Sequence, residues 1–232
     1  MANQYGPKII TTNLVFNMDF ASAKCYPGTG STCTDLSGNN FNGELINSPP
    51  YSSSGNNKFF TFDVATSNKL IRIQNSTLLD TQTPSVEVWI KTNNLNQNGF
   101  FFEKGNVNTQ YSLFQEGTSL RWRNNFTVGG FNALSITTST YISTSSWAQV
   151  VGTFVSGSRK LYVNGALAAS DAQTGIINTN SNGMSIGVYG GYNGSRGYYY
   201  DGSIAVVRVY NKELSSSEVL QNFTALKGRF SL

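Results

Sequence analysis

Apolar and polar residues alternate along this chain with a period of two, the period of a β-strand. Val86-Glu-Val-Trp-Ile-Lys91 sets Val86, Val88 and Ile90 on one side and Glu87, Trp89 and Lys91 on the other, which predicts a half-exposed sheet strand. Before it, Leu14-Val-Phe-Asn-Met-Asp19, Glu44-Leu-Ile46, Phe59-Phe-Thr-Phe62 and Leu70-Ile-Arg-Ile73 read as strands, with Pro49-Pro50 as a break. After it come Phe100-Phe-Phe-Glu103, Tyr111-Ser-Leu-Phe114, Leu120-Arg-Trp-Arg123, a strand around Leu134-Ser-Ile136, and the long run from Trp147 to Val155. Asn164-Gly165 is the strongest hairpin signal, joining Lys160-Leu-Tyr-Val163 to Ala166-Leu-Ala168. Met184-Ser-Ile-Gly-Val188 alternates cleanly.

The last third of the chain, residues 147–232, organises the rest. Ser203-Ile-Ala-Val-Val-Arg-Val-Tyr210 is apolar on both sides, with Ile204 and Val206 expected one way and Ala205, Val207 and Val209 the other. A strand apolar on both faces is normally buried between layers. The segment after it is the best-specified helix. Ser215 and Glu218 form a capping box, and Val219, Leu220, Phe223 and Leu226 make one apolar face. Gly228 stands where a left-handed C-cap residue is expected, so the helix is expected over residues 216–226. The fold class this predicts is all-β: a two-sheet antiparallel β-sandwich with one short C-terminal helix, residues 1–232 forming one domain without repeats or linkers.

Composition narrows the chemistry. Of 232 residues only 12% are charged, and the net charge is +4 with the basic residues scattered singly. No run of Lys or Arg tracks nucleic acid or an anionic membrane, so neither is an expected partner. Histidine is absent, which removes Ser-His-Asp triads, Cys-His dyads and His-based zinc sites within this chain. No window approaches a membrane-spanning run of apolar residues. The first residues do not read as a signal peptide, so cytosolic use or release by a route such as cell lysis is the expectation. Cys25 and Cys33 flank a turn-rich loop. They are either reduced thiols or a disulfide candidate, whose bridge would stabilise the loop by roughly 2–3 kcal/mol.

The chain resembles laminin-G-like, concanavalin A-like jelly-roll domains. The carrying residues are Gly6-Pro-Lys-Ile-Ile10, Leu14 to Asp19, Tyr26-Pro-Gly-Thr-Gly30, Asp35-Leu-Ser-Gly-Asn39, Phe60-Thr-Phe-Asp63, Val86 to Lys91 and Trp147-Ala-Gln-Val151. Further on they are Lys160-Leu-Tyr-Val-Asn-Gly165, Met184-Ser-Ile-Gly187 and Gly202 to Asn211 with the helix that follows. The Gly-Pro-Lys-Ile opening and the strand-helix ending resemble stand-alone virion proteins of tailed bacteriophages. That resemblance implies a capsid decoration, tail fibre or adhesion component, made in the host cytoplasm and residing in the virion. Its implied partners are other virion proteins and host-surface glycans, and its structural role would suit self-association. The alternative is a stand-alone carbohydrate-binding lectin, and a glycoside hydrolase is the weaker third. Glycosidases of this fold carry Glu-x-Asp-x-x-Glu on one strand, whereas Glu87, Glu103, Glu116 and Glu218 stand apart here. Catalysis is therefore not expected. Related phage proteins commonly lack cysteine at positions 25 and 33, so a bridge would be a local addition.

Two sets of candidate site residues remain. No cofactor is required, but calcium takes oxygen ligands and needs no histidine. Asp19, Asp35, Asn39 and Asp63 near turns are its candidates, against the plainer reading of Asx-turns. The loop Tyr189-Gly-Gly-Tyr-Asn-Gly-Ser-Arg-Gly-Tyr-Tyr-Tyr200 suits sugar or partner binding, with Tyr189, Tyr192 and Tyr198 as stacking rings and Arg196 as a planar donor. The competing reading starts the next strand at Tyr198 and Tyr200. Trp122, between Arg121 and Arg123, is a weaker binding candidate that also suits the core.

Overall fold

The computed structural model describes residues 7–52, 57–63, 68–106, 109–192 and 197–232. Two antiparallel sheets pack face to face, and the pattern of short alternating runs is realised as two 8-stranded layers. Across the first sheet the order is Ala166–Asp171, Ser158–Val163, Ala148–Val155, Pro84–Thr92, Gly202–Asn211, Phe59–Phe62 and Tyr51–Ser52. Leu14–Asp19 also pairs with Gly202–Asn211, beside Phe59–Phe62. The second sheet runs Gly130–Thr137, Ser119–Phe126, Tyr111–Glu116, Gly99–Lys104, Met184–Ile186, Leu70–Ile73, Gly43–Ile46 and Thr32–Cys33. Asn164 and Gly165, at φ 51° and 79°, make the expected hairpin turn, which asks for positive φ at both positions.

Gly202–Asn211 is the buried central strand that its two apolar faces call for, but its facing differs from a plain alternation. The register against Pro84–Thr92 slips between Ile204 and Val206. A bulge places two residues opposite one, so parity changes there. Ile204, Val207 and Val209 therefore share the inter-sheet core, while Ala205 and Val206 both lie on the outer face. The Ala205 carbonyl at the bulge accepts the Phe20 amide at 3.1 Å.

The outer face of this sheet is covered, which corrects the half-exposed reading of residues 86–91. Glu87 and Trp89 are fully buried. The helix Ser216–Leu226, with both hydrogen bonds of its Ser215–Glu218 capping box, lies over them. The chain then continues as a 3-10 turn, Lys227–Phe230, and the left-handed residue is Ser231 rather than Gly228. The extra turn carries Phe230 onto Trp89, with ring centroids 4.3 Å apart. Leu220 is 52% exposed, and the helix residue buried deepest beside Val219 is Asn222. Asn222 fits there because its polar atoms are paired: Oδ1 accepts the Ile10 amide, and Nδ2 donates to Glu87 Oε2 at 2.9 Å and to the Tyr210 hydroxyl. Glu87 Oε1 also accepts from Trp89 Nε1, Gln149 Nε2 and Arg208 Nη1.

With the first sheet covered, the cleft described below lies on the outer face of the second sheet. No helix among the described residues is long and apolar enough to cross a membrane.

Candidate functional site

Alternation builds a cleft on that outer face. In Ser119–Phe126, Leu120 and Trp122 enter the core, so Arg121 and Arg123 point outward. In Tyr111–Glu116, Tyr111 and Leu113 enter the core and Phe114 faces out. In Gly99–Lys104 a bulge between Phe100 and Phe102 lets Phe101 and Phe102 both join the core and leaves Phe100 opposite Phe114. The Phe100 and Phe114 rings stack at 4.4 Å and form the floor. The cleft has a volume of about 350 Å³ and is also lined by Asn98, Gln115, Glu116, Arg123, Tyr189 and Tyr198. Gln115 is buried, and its Oε1 has no partner among the described residues.

The Arg123 guanidinium carbon lies 4.8 Å from the Phe114 ring centre, 4.9 Å from Phe131, 5.2 Å from Phe100 and 5.6 Å from Tyr189. The ring faces supply negative potential to the cation. Burial lowers the Arg123 pKa, while nearby Glu103, Tyr189 and Glu116 pull it back up. Arg123 Nη2 donates to Thr109 Oγ1 at 3.1 Å, and that hydroxyl donates to the buried Glu103 Oε1. Glu103 Oε2 accepts the Gly190 amide at 2.7 Å and the Ser185 hydroxyl at 3.4 Å. Burial drives the Glu103 carboxyl up to about 7 in spite of these hydrogen bonds and Arg123. Burial likewise raises the Tyr189 hydroxyl.

Gly187 ends the strand Met184–Ile186 with a φ of 89°, where a Cβ would lie 2.3 Å from the Phe62 ring. Tyr189 and Gly197 then exchange both backbone hydrogen bonds, at 3.0 and 3.1 Å, and Tyr198 follows. Tyr198 sits at φ 51° and is 56% exposed. A bulky residue in the left-handed region is strained, and such strain concentrates at functional surfaces. Its ring lies 5.9 Å from Tyr189 at the mouth of the cleft.

Of the sequence candidates, Tyr189 and Tyr198 therefore line one cleft. Tyr192 does not: its hydroxyl donates to Gln74 Oε1, and its ring packs against Gly183. Arg196 lies outside the described residues. Trp122 is corrected to a core residue. It is fully buried against Gly152, and its indole N–H donates to the Thr153 carbonyl at 3.0 Å. The residues the sequence reading missed are Phe100, Phe114 and Arg123. Their signal was alternation itself, because a core Trp122 requires an outward Arg123.

The calcium candidates do not form one metal-binding group, although Asp35 and Asn39 share a turn through the Ser37 hydroxyl. Asp19 is held by Arg229 Nη1, 2.8 Å from both of its oxygens. Asp35 makes the Asx-turn of the plainer reading, its oxygens accepting the amides of Asn17, Ser37 and Phe41. The Asn39 side chain donates to the Val15 carbonyl at 2.9 Å. Asp63 ends the strand Phe59–Phe62 elsewhere, and no group of three acidic or thiol side chains among the described residues could hold a metal. Of the two readings left open for the cysteines, the structure has the reduced thiols: Cys25 and Cys33 are free, buried and in hydrogen-bond contact. The Thr34 amide already closes this loop on the Cys25 carbonyl at 2.8 Å.

Several solved structures share this architecture. The binding domain of Paraclostridial Mosquitocidal Protein 1 is 21% identical over 91% of this chain and 52% of that one, with a TM-score of 0.70. The binding domain of botulinum neurotoxin DC, solved in complex with rat synaptotagmin II, is 14% identical over 94% of this chain and 52% of its own, at 0.68. A botulinum neurotoxin type C structure, described as showing that cell entry depends on two ganglioside molecules, is 14% identical over the same shares, at 0.69. The chain thus spans about half the length of these structures, and at such identities the likeness concerns the fold. No curated protein matches the sequence. A family model described as concanavalin A-like lectin/glucanases superfamily matches residues 64–220, from just after Phe59–Phe62 into the C-terminal helix, and the chain belongs to that superfamily.

Proposed function

We propose that this protein is a non-catalytic binding module whose cleft between Phe100, Arg123 and Tyr198 takes a saccharide. The observation that carries this reading is Tyr198, a half-exposed ring held in a strained backbone at the mouth of an aromatic-floored cleft. Aromatic faces stack on the apolar faces of sugars. A non-catalytic role is supported by the state of the nearby carboxylates. Glu116 is tied to Arg121 at 2.7 Å, and both Glu103 oxygens accept hydrogen bonds from the protein. The solved structures of like fold are binding domains, one with a protein partner and one linked to gangliosides, which fits either class of ligand.

The setting we propose is the virion of a tailed bacteriophage, as a capsid decoration or tail adhesion component. It rests on the sequence resemblance of the opening segment and the strand-helix ending. Two experiments test the two levels. Glycan-array binding by the wild type, lost in Tyr198→Ala, supports the cleft reading; an array without a hit overturns it. Quantitative mass spectrometry of purified particles supports the virion setting when the protein is found at stoichiometric copy number. Its absence from particles overturns that setting and leaves a free lectin.

A further inference from the structure

Arg123 differs from every other arginine among the described residues. Arg72, Arg121, Arg159, Arg208 and Arg229 each make an ion pair, with Glu44, Glu116, Asp171, Glu87 and Asp19 respectively. Arg123 makes none among the described residues. Its one hydrogen bond goes to the neutral Thr109 hydroxyl, and its Nε is buried without a partner. Glu103, the carboxylate it reaches through that hydroxyl, already accepts hydrogen bonds from Thr109, Gly190 and Ser185. Four aromatic rings hold the guanidinium in place, but they offer no lone pair to its N–H groups. The cation nevertheless lines the cleft. The other charged group on the lining, Glu116, is neutralised by Arg121. What the cleft lacks is one anionic acceptor beside Arg123.

We infer that the ligand of this cleft carries a carboxylate, so that the saccharide taken is an acidic one, of the uronic or sialic acid class. The carboxylate docks on the Arg123 guanidinium while a ring face of the sugar stacks on Tyr198. A planar guanidinium fixed by packing pays no reorganisation on binding, and its hydrogen bonds to an anion are charge-assisted. This inference rests on the saccharide-binding reading above and specifies its ligand.

The test is titration calorimetry with the intact protein, using pairs of probes that differ only in charge: trigalacturonate against its methyl ester, and sialyllactose against its methyl ester. The acid of at least one pair is expected to bind roughly tenfold or more tightly than its ester, the size of one charge-assisted contact. Arg123→Gln should bring the two together, and Arg123→Lys should lose part of the preference, because it keeps the charge without the planar fork. Equal binding of acid and ester overturns the inference and leaves the saccharide reading standing. So does binding of neutral glycans alone. An acid preference that survives Arg123→Gln overturns the assignment to this residue. Failure of every acidic and neutral saccharide overturns both readings. The comparison of acid with ester needs no variant, so it holds even if Arg123→Gln fails to fold.

Discussion

The amide of Gly190 donates to Glu103 Oε2 at 2.7 Å, tying the loop that presents Tyr189 to a carboxyl buried in the strand behind it. The same carboxyl reaches Arg123 through the Thr109 hydroxyl. One buried group therefore positions two walls of the cleft, and its ionisation bears on the stability of the whole protein.

That ionisation has a definite sign. The Glu103 carboxyl moves from an ordinary 4.5 up to about 7 in the folded protein. Between those values the folded state binds more protons than the unfolded one, so this group's contribution falls as pH rises from 4.5 to 7 and is fully lost above 7. The size is on the order of 3 kcal/mol. Glu103→Gln, neutral throughout, removes that slope. Urea denaturation of both proteins from pH 4.5 to 8 measures it, and parallel pH profiles would refute the assignment.

Tyr198 separates stability from binding. Its left-handed backbone costs roughly 1–2 kcal/mol for a residue with a Cβ, and its exposed ring contributes little burial. Tyr198→Gly relieves the strain at an entropic cost of about 0.5–1 kcal/mol, whereas Tyr198→Ala keeps the strain. We expect Tyr198→Gly to be as stable as Tyr198→Ala or more so, with both losing saccharide binding. Chemical denaturation showing Tyr198→Ala clearly the more stable would contradict this.

Helix docking depends on Glu87. Glu87→Ala leaves the buried Arg208 guanidinium without its closest carboxylate, 3.1 Å away, and should cost about 3–5 kcal/mol. Asn222→Ala removes one donor to Glu87 and the acceptor of the Ile10 amide, at about 1–3 kcal/mol. Because both residues belong to one network, the double variant should be less unstable than the sum. Additive losses in a denaturation cycle would show that the network does not act as a unit.

Cys25 and Cys33 should be inert in the native protein. Hydrogen bonding to Cys25, then burial, pushes the Cys33 thiol well above its ordinary range, and the thiolate is the reactive form. Iodoacetamide followed by mass spectrometry should leave the native protein unlabelled and label both residues after denaturation. Rapid native labelling would show that the pair is open to solvent. Denatured protein that stays unlabelled without reductant would show a disulfide.

The strands were legible in the sequence because each is a short period-two run bounded by turn chemistry, and Leu14–Asp19 and Leu70–Ile73 fall where the alternation places them. The helix was legible because Ser215 and Glu218 act on each other three residues apart, within one turn. Tyr189 and Tyr198 stood out as rings on a glycine-rich loop. What lies across the fold was not legible. Periodicity gives two faces to a strand but does not say what covers the second one, so Glu87 and Trp89 read as half-exposed until the helix and Phe230 came down on them. The bulges at residues 204–206 and 100–102 reverse facing at a single peptide, a choice made by the partner strand's register rather than by local composition. Arg123 gained its surroundings in the same way, with Phe100, Phe114, Phe131 and Tyr189 brought in by strand pairing and by a loop from 66 residues downstream. Local sequence determined which segments are strands, turns and helix. The pairing of distant strands decided which side chains meet, and so decided where the cleft is.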